Sequence, residues 1–320
     1  MKWRIKLNLF ISVLISCIFL TGCKVDYSGN PDNHSTTNGN ITMSSGAFAC
    51  QGDFIYFTDG STIYEYDTVT QTTVHFDAKS EGIKSMYIQG EHIYFSCDGL
   101  KRITKDGKKV ETVFERKNGC LQLIVEEKYA YYLDSVEGSL YRRELKTDLE
   151  EGILTNVFSY HIDENGIYAV AKENDVLMLF VTGKEHIDFK QKELSFEPIK
   201  VYASDGKLFL SEKGTYQVIQ LTDDTETRLP VYSLVYQMMD ELLICLSDKS
   251  DKEENAGGYR ELVLYDIATG EVEVVCENVY DFNIFENKYI FIETPSDEGV
   301  LFLIYDMETK ETIPVTGKGE

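Results

Sequence analysis

Basic residues are scarce in this chain of 320 residues. Lys and Arg number 31 against 54 Asp and Glu, so the formal net charge is −23 at pH 7. Nucleic-acid binding needs a basic surface that neutralises phosphates, and this composition therefore excludes it. Acidity of this size ordinarily serves solubility through mutual repulsion. It also favours cations or basic proteins and peptides as partners.

Helical patterns are missing as well. After residue 45 no stretch shows helical periodicity with caps over three turns, and only five Pro occur in the whole chain. We expect these prolines outside strand-like segments or at their ends, because Pro cannot donate a hydrogen bond within a sheet. The remaining pattern is one of short apolar and aromatic segments separated by polar turns, which is typical of an all-β protein.

Cysteine shows no spacing that points to a metal site or a disulfide framework. Two of the seven, Cys17 and Cys23, lie near the N-terminus, and the other five contain no C-x-x-C pair: Cys50, Cys97, Cys120, Cys245 and Cys276. An odd number within or beside apolar segments predicts buried thiols that pack as small hydrophobic side chains.

Motifs of catalysis are absent from the sequence. Five His occur, but no two have metal-ligand spacing and none follows a glycine-rich nucleophile turn. The Ser-x-Asp-x-Gly box of sialidases is missing, and Trp3 is the sole Trp, which argues against a quinone- or metal-dependent oxidoreductase. We therefore assign no catalytic residue, no metal ligand and no cofactor.

The N-terminus has the features of a secretory signal. Lys2, Arg4 and Lys6 precede an apolar segment at 7–20, which is shorter than the ~20 residues of a membrane span and suits the core of a signal peptide. Leu20-Thr21-Gly22-Cys23 resembles the bacterial lipobox. That resemblance implies removal of residues 1–22 and attachment of a diacylglycerol to the thiol of Cys23.

A polar segment follows the lipobox. Residues 23–45 are rich in Asn, Ser, Thr, Gly and Asp, which is typical of a flexible tether. The expected organisation is a signal peptide (1–22), a lipidated Cys with its tether (23–45) and a folded domain (46–320). The expected location is the extracytoplasmic face of the cell membrane, with the lipid as the membrane contact.

The folded domain contains an internal repeat. A short polar turn followed by an apolar-aromatic strand occurs seven times, with equivalent apolar residues at 55, 93, 130, 167, 208, 243 and 290. The intervals of 38, 37, 37, 41, 35 and 47 residues match the ~40 residues of a four-stranded propeller blade. The sequence therefore predicts a seven-bladed β-propeller of four-stranded blades. A six-bladed ring stays open as an alternative, because the fourth copy has a weaker third strand at 176–181.

Further strands surround that central one in each copy. The third strand ends in a repeated hairpin, seen at Tyr66-Asp67, Tyr265-Asp266 and Tyr305-Asp306, each followed by a Thr three residues after the Asp. Asp and Thr side chains can bond nearby backbone amides, which favours a turn. A more polar fourth strand then closes the copy. No strand that would latch the ring is evident at either end, and 41–43 is the one candidate.

The first copy carries a family resemblance. Ile55-Tyr56-Phe57-Thr58-Asp59 is similar to the Tyr-Trp-Thr-Asp motif of the low-density-lipoprotein-receptor propellers. Residues 46–316 as a whole resemble bacterial propeller domains related to that repeat, which often occur on lipoproteins. Trp is absent from all seven copies. The resemblance implies a propeller fold and, by analogy, a binding role.

Acidic residues recur in the loops between second and third strands, which share one face of a propeller. This predicts an acidic loop face for docking a basic protein segment, a polyamine or a divalent cation. The alternative is that turns favour Asp in any acidic protein. The candidate ligand-binding residues are Asp59, Asp98, Asp134, Glu137, Asp175, Glu212, Asp251 and Asp297. The long sixth loop, 248–258, lacks EF-hand spacing and is expected to be a surface loop.

Two functions remain open at this point. The anchor, the tether and the absence of catalytic motifs favour a binding or scaffold module, expected to be a monomer, for a protein or small ligand. The alternative is a propeller hydrolase or lyase acting on extracellular carbohydrate or peptide, because an inward pair of carboxylates could occur in almost any propeller channel.

Overall fold

The computed structural model describes residues 48–83, 85–116, 120–126, 128–134, 136–204, 206–222, 225–247, 260–285, 288–296 and 299–315. All of them belong to one compact unit, His34–Glu320. The predicted signal peptide, Cys23, the tether, the candidate latch at 41–43 and the candidate residues Asp251 and Asp297 lie outside these ranges. Within them, no helix is long and apolar enough to cross a membrane.

Twenty-eight strands form seven sheets in the described part of the chain. Blades 1 to 3 contain β1 (Phe48–Gln51), β2 (Phe54–Thr58), β3 (Thr62–Asp67), β4 (Thr72–Asp77); β5 (Ser85–Gln89), β6 (His92–Cys97), β7 (Gly99–Thr104), β8 (Val110–Glu115); and β9 (Cys120–Val125), β10 (Tyr129–Asp134), β11 (Leu140–Glu144), β12 (Glu150–Leu154). Blades 4 and 5 contain β13 (Val157–Ile162), β14 (Ile167–Glu173), β15 (Val176–Thr182), β16 (Lys190–Glu193); and β17 (Pro198–Ser204), β18 (Lys207–Glu212), β19 (Gln217–Leu221), β20 (Glu226–Tyr232). Blades 6 and 7 contain β21 (Tyr236–Met239), β22 (Leu242–Ser247), β23 (Arg260–Asp266), β24 (Val272–Val279); and β25 (Asp281–Phe285), β26 (Tyr289–Ser296), β27 (Gly299–Asp306), β28 (Thr312–Pro314).

Each sheet is an antiparallel meander of four consecutive strands, and the seven sheets form a seven-bladed β-propeller. The predicted fold class is therefore confirmed. The six-bladed alternative is wrong, because β15 pairs with β14 along its whole length, from Val176 with Glu173 to Thr182 with Ile167.

The repeat positions form the packed centre of the blades. Six of the seven equivalent residues are buried, and Leu208 is half-buried. The outermost strands are largely exposed, as in β4, where Thr73 and Phe76 are half-buried and the other four residues are exposed, which fits the predicted polar fourth strand. The expectation for proline is wrong at Pro230 and Pro295, which lie inside β20 and β26. β20 is an outermost strand, where a missing N–H can face away from the sheet.

The repeated hairpin after the third strand has one structure in all three copies. Asp67 Oδ1 accepts the N–H groups of the second and third residues after it, at 2.8 and 3.0 Å. Asp266 and Asp306 repeat this pattern. The fourth residue after each Asp has positive φ, at 56° for Gln71 and 77° for Gly270. The Asp side chain thus fixes the turn, as the sequence predicts.

Side chains of the innermost strands join neighbouring blades around the channel. In each case a polar side chain of one blade bonds the backbone of the innermost strand of the next. The accepting side chains and donating N–H groups are Gln122 with Tyr160 (3.2 Å), Ser159 with Val201 (3.2 Å), Tyr202 with Met238 (2.9 Å) and Gln237 with Ile284 (3.1 Å). These bonds satisfy amides at a sheet edge that no further strand covers.

Aromatic packing closes the ring between blades 7 and 1. In the described ranges, β1–β4 and β25–β28 form separate sheets, so no strand is exchanged there. Phe48 lies 4.6 Å from Phe291 and 6.0 Å from Phe302, between ring centroids. Asn283 Nδ2 donates to the carbonyl oxygen of Phe48 at 3.3 Å. We call this contact the closure seam.

No disulfide joins the five described cysteines, and the four buried ones agree with their prediction as packing residues. Four are buried, and Cys276 on the outermost strand β24 is half-buried. Burial raises the pKa of the Cys120 and Cys245 thiols to about 12, which keeps both protonated and unreactive at neutral pH.

Candidate binding cleft on the loop face

We call the loop between the second and third strands of a blade its 2–3 loop and name the 1–2 and 3–4 turns in the same way. In blades 1 to 5 the 2–3 loops lie at the same end of the ring. Antiparallel neighbours alternate in direction, so the 2–3 loops and the connections between blades lie at one end. The 1–2 and 3–4 turns lie at the other. We call the end with the 2–3 loops the loop face. It holds all six of the candidate carboxylates that the structure describes.

Asp59 holds its own loop together. Its Oδ1 accepts from the N–H groups of Ser61 at 2.9 Å and Thr62 at 2.8 Å, and its Oδ2 accepts from the Tyr64 hydroxyl at 2.9 Å. Partial burial acts to raise the pKa of this carboxyl, but these hydrogen bonds outweigh it and the pKa is lowered. The carboxylate thus has a structural role in the first blade.

Asp134 also has a structural role, because its carboxylate is bound by neighbouring residues. Only 5% of the residue is exposed, and its Oδ2 accepts from Arg116 Nε at 2.8 Å. Burial acts to raise the pKa, yet the N–H of Glu137 and the guanidinium of Arg116 lower it overall. The Arg116 guanidinium also lies 4.6 Å above the ring of Tyr141. This cluster joins blades 2 and 3 rather than facing a ligand.

Glu212 and Asp98 occupy further places on the loop face. Arg228 donates to both oxygens of Glu212 at 2.8 Å, and the Thr215 hydroxyl donates at 2.8 Å. The Arg228 hydrogen bonds are the main reason why the pKa of Glu212 is lowered to about 2. Asp98 is exposed, and its backbone carbonyl accepts from the N–H of Arg116 at 3.2 Å.

Glu137 and Asp175 are the two candidates that the structure brings together in one cavity. An open cleft of about 510 Å³ lies between the 2–3 loops of blades 3 and 4. Both carboxylates line it, together with seven other residues: Val136, Gly138, Asn156, Val157, Phe158, Lys172 and Asn174. Its volume falls within the ~300–1,000 Å³ typical of ligand sites. We call it the blade 3–4 cleft.

Phe158 forms part of the cleft because of a β-bulge. The register between β13 and β14 shifts between Val157 and Ser159, so Phe158 is the extra residue and its side chain turns outward. It is 46% exposed, whereas Val157 beside it is 4% exposed. Bulges often redirect a side chain next to functional sites. Phe158 is not among the candidate residues predicted from the sequence, because no local pattern marks the bulge.

Val136 adds an exposed apolar side chain to the cleft. It lies on the loop between the second and third strands of blade 3 and is 69% exposed. Single exposed apolar residues are common, but a contiguous group marks an interaction surface. The cleft therefore combines an aromatic ring, aliphatic side chains and two carboxylates.

A second group of polar residues lies buried near the channel. Lys200 on β17 is 4% exposed, and burial lowers the pKa of its ammonium to about 7, although Asp281 acts to raise it. Burial, and then Asp281, raise the pKa of Glu293 to about 7. Burial also lowers the pKa of His161 to about 3. Among the described residues, no group of three or more His, Cys, Asp or Glu could hold a metal ion.

Comparison with known proteins supports the fold. No protein family matches the sequence, and no curated protein matches it either. The acylaminoacyl peptidase of Pyrococcus horikoshii has a similar structure, with 10% identity and a TM-score of 0.59 over 91% of this chain and 54% of that one. The propeller domain of the Trilobed protease from Pyrococcus furiosus, which has an open velcro topology, is also similar. It has 10% identity and a TM-score of 0.56 over 86% of this chain and 94% of that one.

A third similar structure is the nidogen–laminin complex, with 11% identity and a TM-score of 0.51 over 70% of this chain and 93% of the matched one. It is a loose fit to the receptor-type propellers that the first repeat resembles. At these identities the similarity shows the propeller fold alone. Such propellers occur both in hydrolases and in proteins without enzymatic activity.

Proposed function

We propose that this protein is an extracytoplasmic lipoprotein, anchored through Cys23, that binds a partner at the loop face of its propeller. The observation that carries the binding part is the blade 3–4 cleft, where Glu137, Asp175 and the exposed Phe158 line one cavity. The anchoring part rests on the signal-like segment and on Leu20-Thr21-Gly22-Cys23. Residues 23–45 would act as the spacer between membrane and propeller.

The anchor is tested by replacing Cys23 with Ser. Acylation with two chains exceeds the marginal membrane affinity of a single chain, so the unchanged chain is expected in the membrane fraction of the source organism. The Cys23→Ser chain is expected in the soluble extracytoplasmic fraction or as an unprocessed precursor. Globomycin, which blocks lipoprotein signal cleavage, should give the same precursor with the unchanged chain. Equal membrane retention of both chains after signal cleavage would contradict lipid anchoring.

Binding is tested by capturing partners from membrane and secreted extracts at low and high salt. Exposed charge contacts are screened by salt, so we expect a specific partner at low salt that is released at high salt. The double variant Glu137→Gln, Asp175→Asn should capture less of it, while Asp98→Asn, on the same face but outside the cleft, should capture as much as the unchanged chain. If the amount of captured partner changes neither with salt nor with the double substitution, binding through this cleft is contradicted.

The alternative, a hydrolase or lyase for extracellular carbohydrate or peptide, draws on Glu293. A half-buried carboxyl whose pKa is about 7 suits proton donation to a leaving group. Turnover of a glycan or peptide by the unchanged chain that is lost in Glu293→Gln would favour this alternative. It becomes the better account if no partner is captured at either salt concentration.

A further inference from the structure

We infer that the blade 3–4 cleft binds an arginine or lysine side chain of an extended polypeptide segment that also carries apolar residues. This inference rests on the proposed function and names the partner chemistry of the same cleft. Three features of the cleft carry it: an exposed aromatic face, carboxylates that a ligand can reach, and aliphatic surface at the rim.

The aromatic feature is Phe158. A cation over an aromatic ring is attracted by the negative face of the ring, and the attraction grows as the cation loses its water. The described part of the propeller already uses such pairs, as in Arg142 over Tyr129 at 4.8 Å and Arg143 over Phe114 at 4.8 Å. None of the cation–ring contacts among described residues uses Phe158. Its ring is therefore open to a cation from outside.

The carboxylates are within reach of a ligand. The Asp175 side chain is 94% exposed, and among the described residues it forms an ion pair with Lys172 at 3.0 Å. Such an exposed pair contributes little to stability, so a better placed guanidinium can displace it. Glu137 is exposed, and Tyr141 donates to its Oε2 at 2.8 Å. A carboxylate can accept about four hydrogen bonds, which leaves capacity for a ligand.

The charge of the cleft also favours a cation. Two carboxylates and the Lys172 ammonium line it, which leaves one net negative charge. One basic side chain neutralises that charge. An anionic ligand would add to it, and a neutral apolar ligand would desolvate both carboxylates without giving them a new partner, which is unfavourable.

The aliphatic rim distinguishes a polypeptide from a free polyamine. Val136, which is 69% exposed, lines the cleft together with Phe158. A polyamine would leave this apolar surface in water, whereas apolar residues beside an Arg or Lys would cover it. The loops are also preshaped: Asn156, Asn174 and Asp175 have φ of 55°, 49° and 66°, a conformation that Asn and Asp tolerate best.

The test uses the full chain in detergent and a matched pair of capped pentapeptides, Gly-Leu-Arg-Leu-Gly and the same peptide with citrulline in place of Arg. Citrulline keeps the shape and removes the charge. We expect measurable binding of the Arg peptide by fluorescence anisotropy, and binding of the citrulline peptide weaker by about tenfold or more. Spermine should bind more weakly than the Arg peptide.

Three variants locate the site. Phe158→Ala and the double variant Glu137→Gln, Asp175→Asn should each lower the affinity for the Arg peptide by about five- to tenfold. In the double variant this affinity should also depend less on salt concentration. Val69→Ala removes a side chain that is 71% exposed on a 3–4 turn, at the opposite end of the ring. This variant should bind the Arg peptide with the affinity of the unchanged chain. Circular dichroism checks that each variant is folded.

The inference is overturned if the Arg and citrulline peptides bind equally, if neither binds at millimolar concentration, or if the cleft variants bind as the unchanged chain does. Stronger binding of spermine than of the Arg peptide would also overturn it in favour of a polyamine. If any of these results occurs while the cleft variants still lose a partner from cell extracts, the proposed function stands and only the partner chemistry is wrong.

Discussion

Two junctions between blades use aromatic side chains in opposite ways. At the closure seam, Phe48 and Phe291 are 2% and 1% exposed and lie in edge-to-face contact. At the junction of blades 3 and 4, a bulge turns Phe158 into solvent beside a cavity. The seam joins the two ends of the described chain without a shared strand, so it depends on dry packing. The blade 3–4 junction is continuous along the chain and can leave apolar surface exposed.

The largest expected effect separates these two aromatic groups. Phe291→Ala should lower the free energy of unfolding by about 3–5 kcal/mol, because it leaves a cavity among Phe48, Phe57 and Phe302. Phe158→Ala should change it by less than about 0.5 kcal/mol, since the side chain is half in water already. Urea unfolding followed by circular dichroism measures both. Similar losses for the two variants would break the distinction between seam and cleft.

The buried charges near the channel predict a minimum of stability near neutral pH. The Lys200 pKa is about 7 in the folded chain and 10.5 in its ordinary state, so between these values the unfolded chain holds the extra proton and stability rises with pH. The Glu293 pKa is about 7 against an ordinary 4.5, so between these values the folded chain holds the extra proton and stability falls as pH rises.

Substitutions assign the two limbs of that profile. Each limb should span about 1–4 kcal/mol, since one pKa unit corresponds to about 1.4 kcal/mol. Lys200→Met should remove the rise of stability above pH 7 and keep the fall of stability between pH 4.5 and 7. Glu293→Gln should remove that fall and keep the rise above pH 7. Chemical unfolding from pH 4.5 to 10 measures both profiles. Profiles that stay unchanged in these variants would show that other groups govern the pH dependence.

The smallest expected effect concerns a turn next to the seam. Asp67→Ala removes the acceptor for two backbone N–H groups and should cost about 1 kcal/mol of unfolding free energy. Asp67→Asn keeps an oxygen acceptor and should cost less. Both are measured by urea unfolding. If Asp67→Asn destabilises as much as Asp67→Ala, charge rather than the hydrogen bonds maintains this turn.

Much of the fold could be predicted because each blade has its own local sequence pattern. The equivalent apolar residues from Ile55 to Ile290 mark the second strand of each blade, and the Asp of each hairpin fixes its own turn. Closure of the ring could not be predicted in the same way. The contact of Phe48 with Phe291 joins the first and the last blade, whose residues are far apart in the sequence, so no local pattern predicts it.

The site was predictable only in outline. The positions of Asp59, Asp134 and Glu212 in 2–3 loops follow from the repeat, but their hydrogen bonds to Tyr64, Arg116 and Arg228 depend on side-chain placement. The sequence therefore could not separate these structural carboxylates from Glu137 and Asp175. The bulge at Phe158 was also hidden, because one extra residue in a strand leaves the apolar pattern almost unchanged.

Hydrogen exchange with and without the Arg pentapeptide tests the central claim, that the blade 3–4 cleft is the binding site, most directly. Residues 136–138, 156–158 and 172–175 surround the cleft, and their amides should exchange more slowly when the peptide is bound, with no change in the 3–4 turns at the opposite end. Protection confined to another part of the ring, or no protection of these three segments under saturating peptide, would contradict the account.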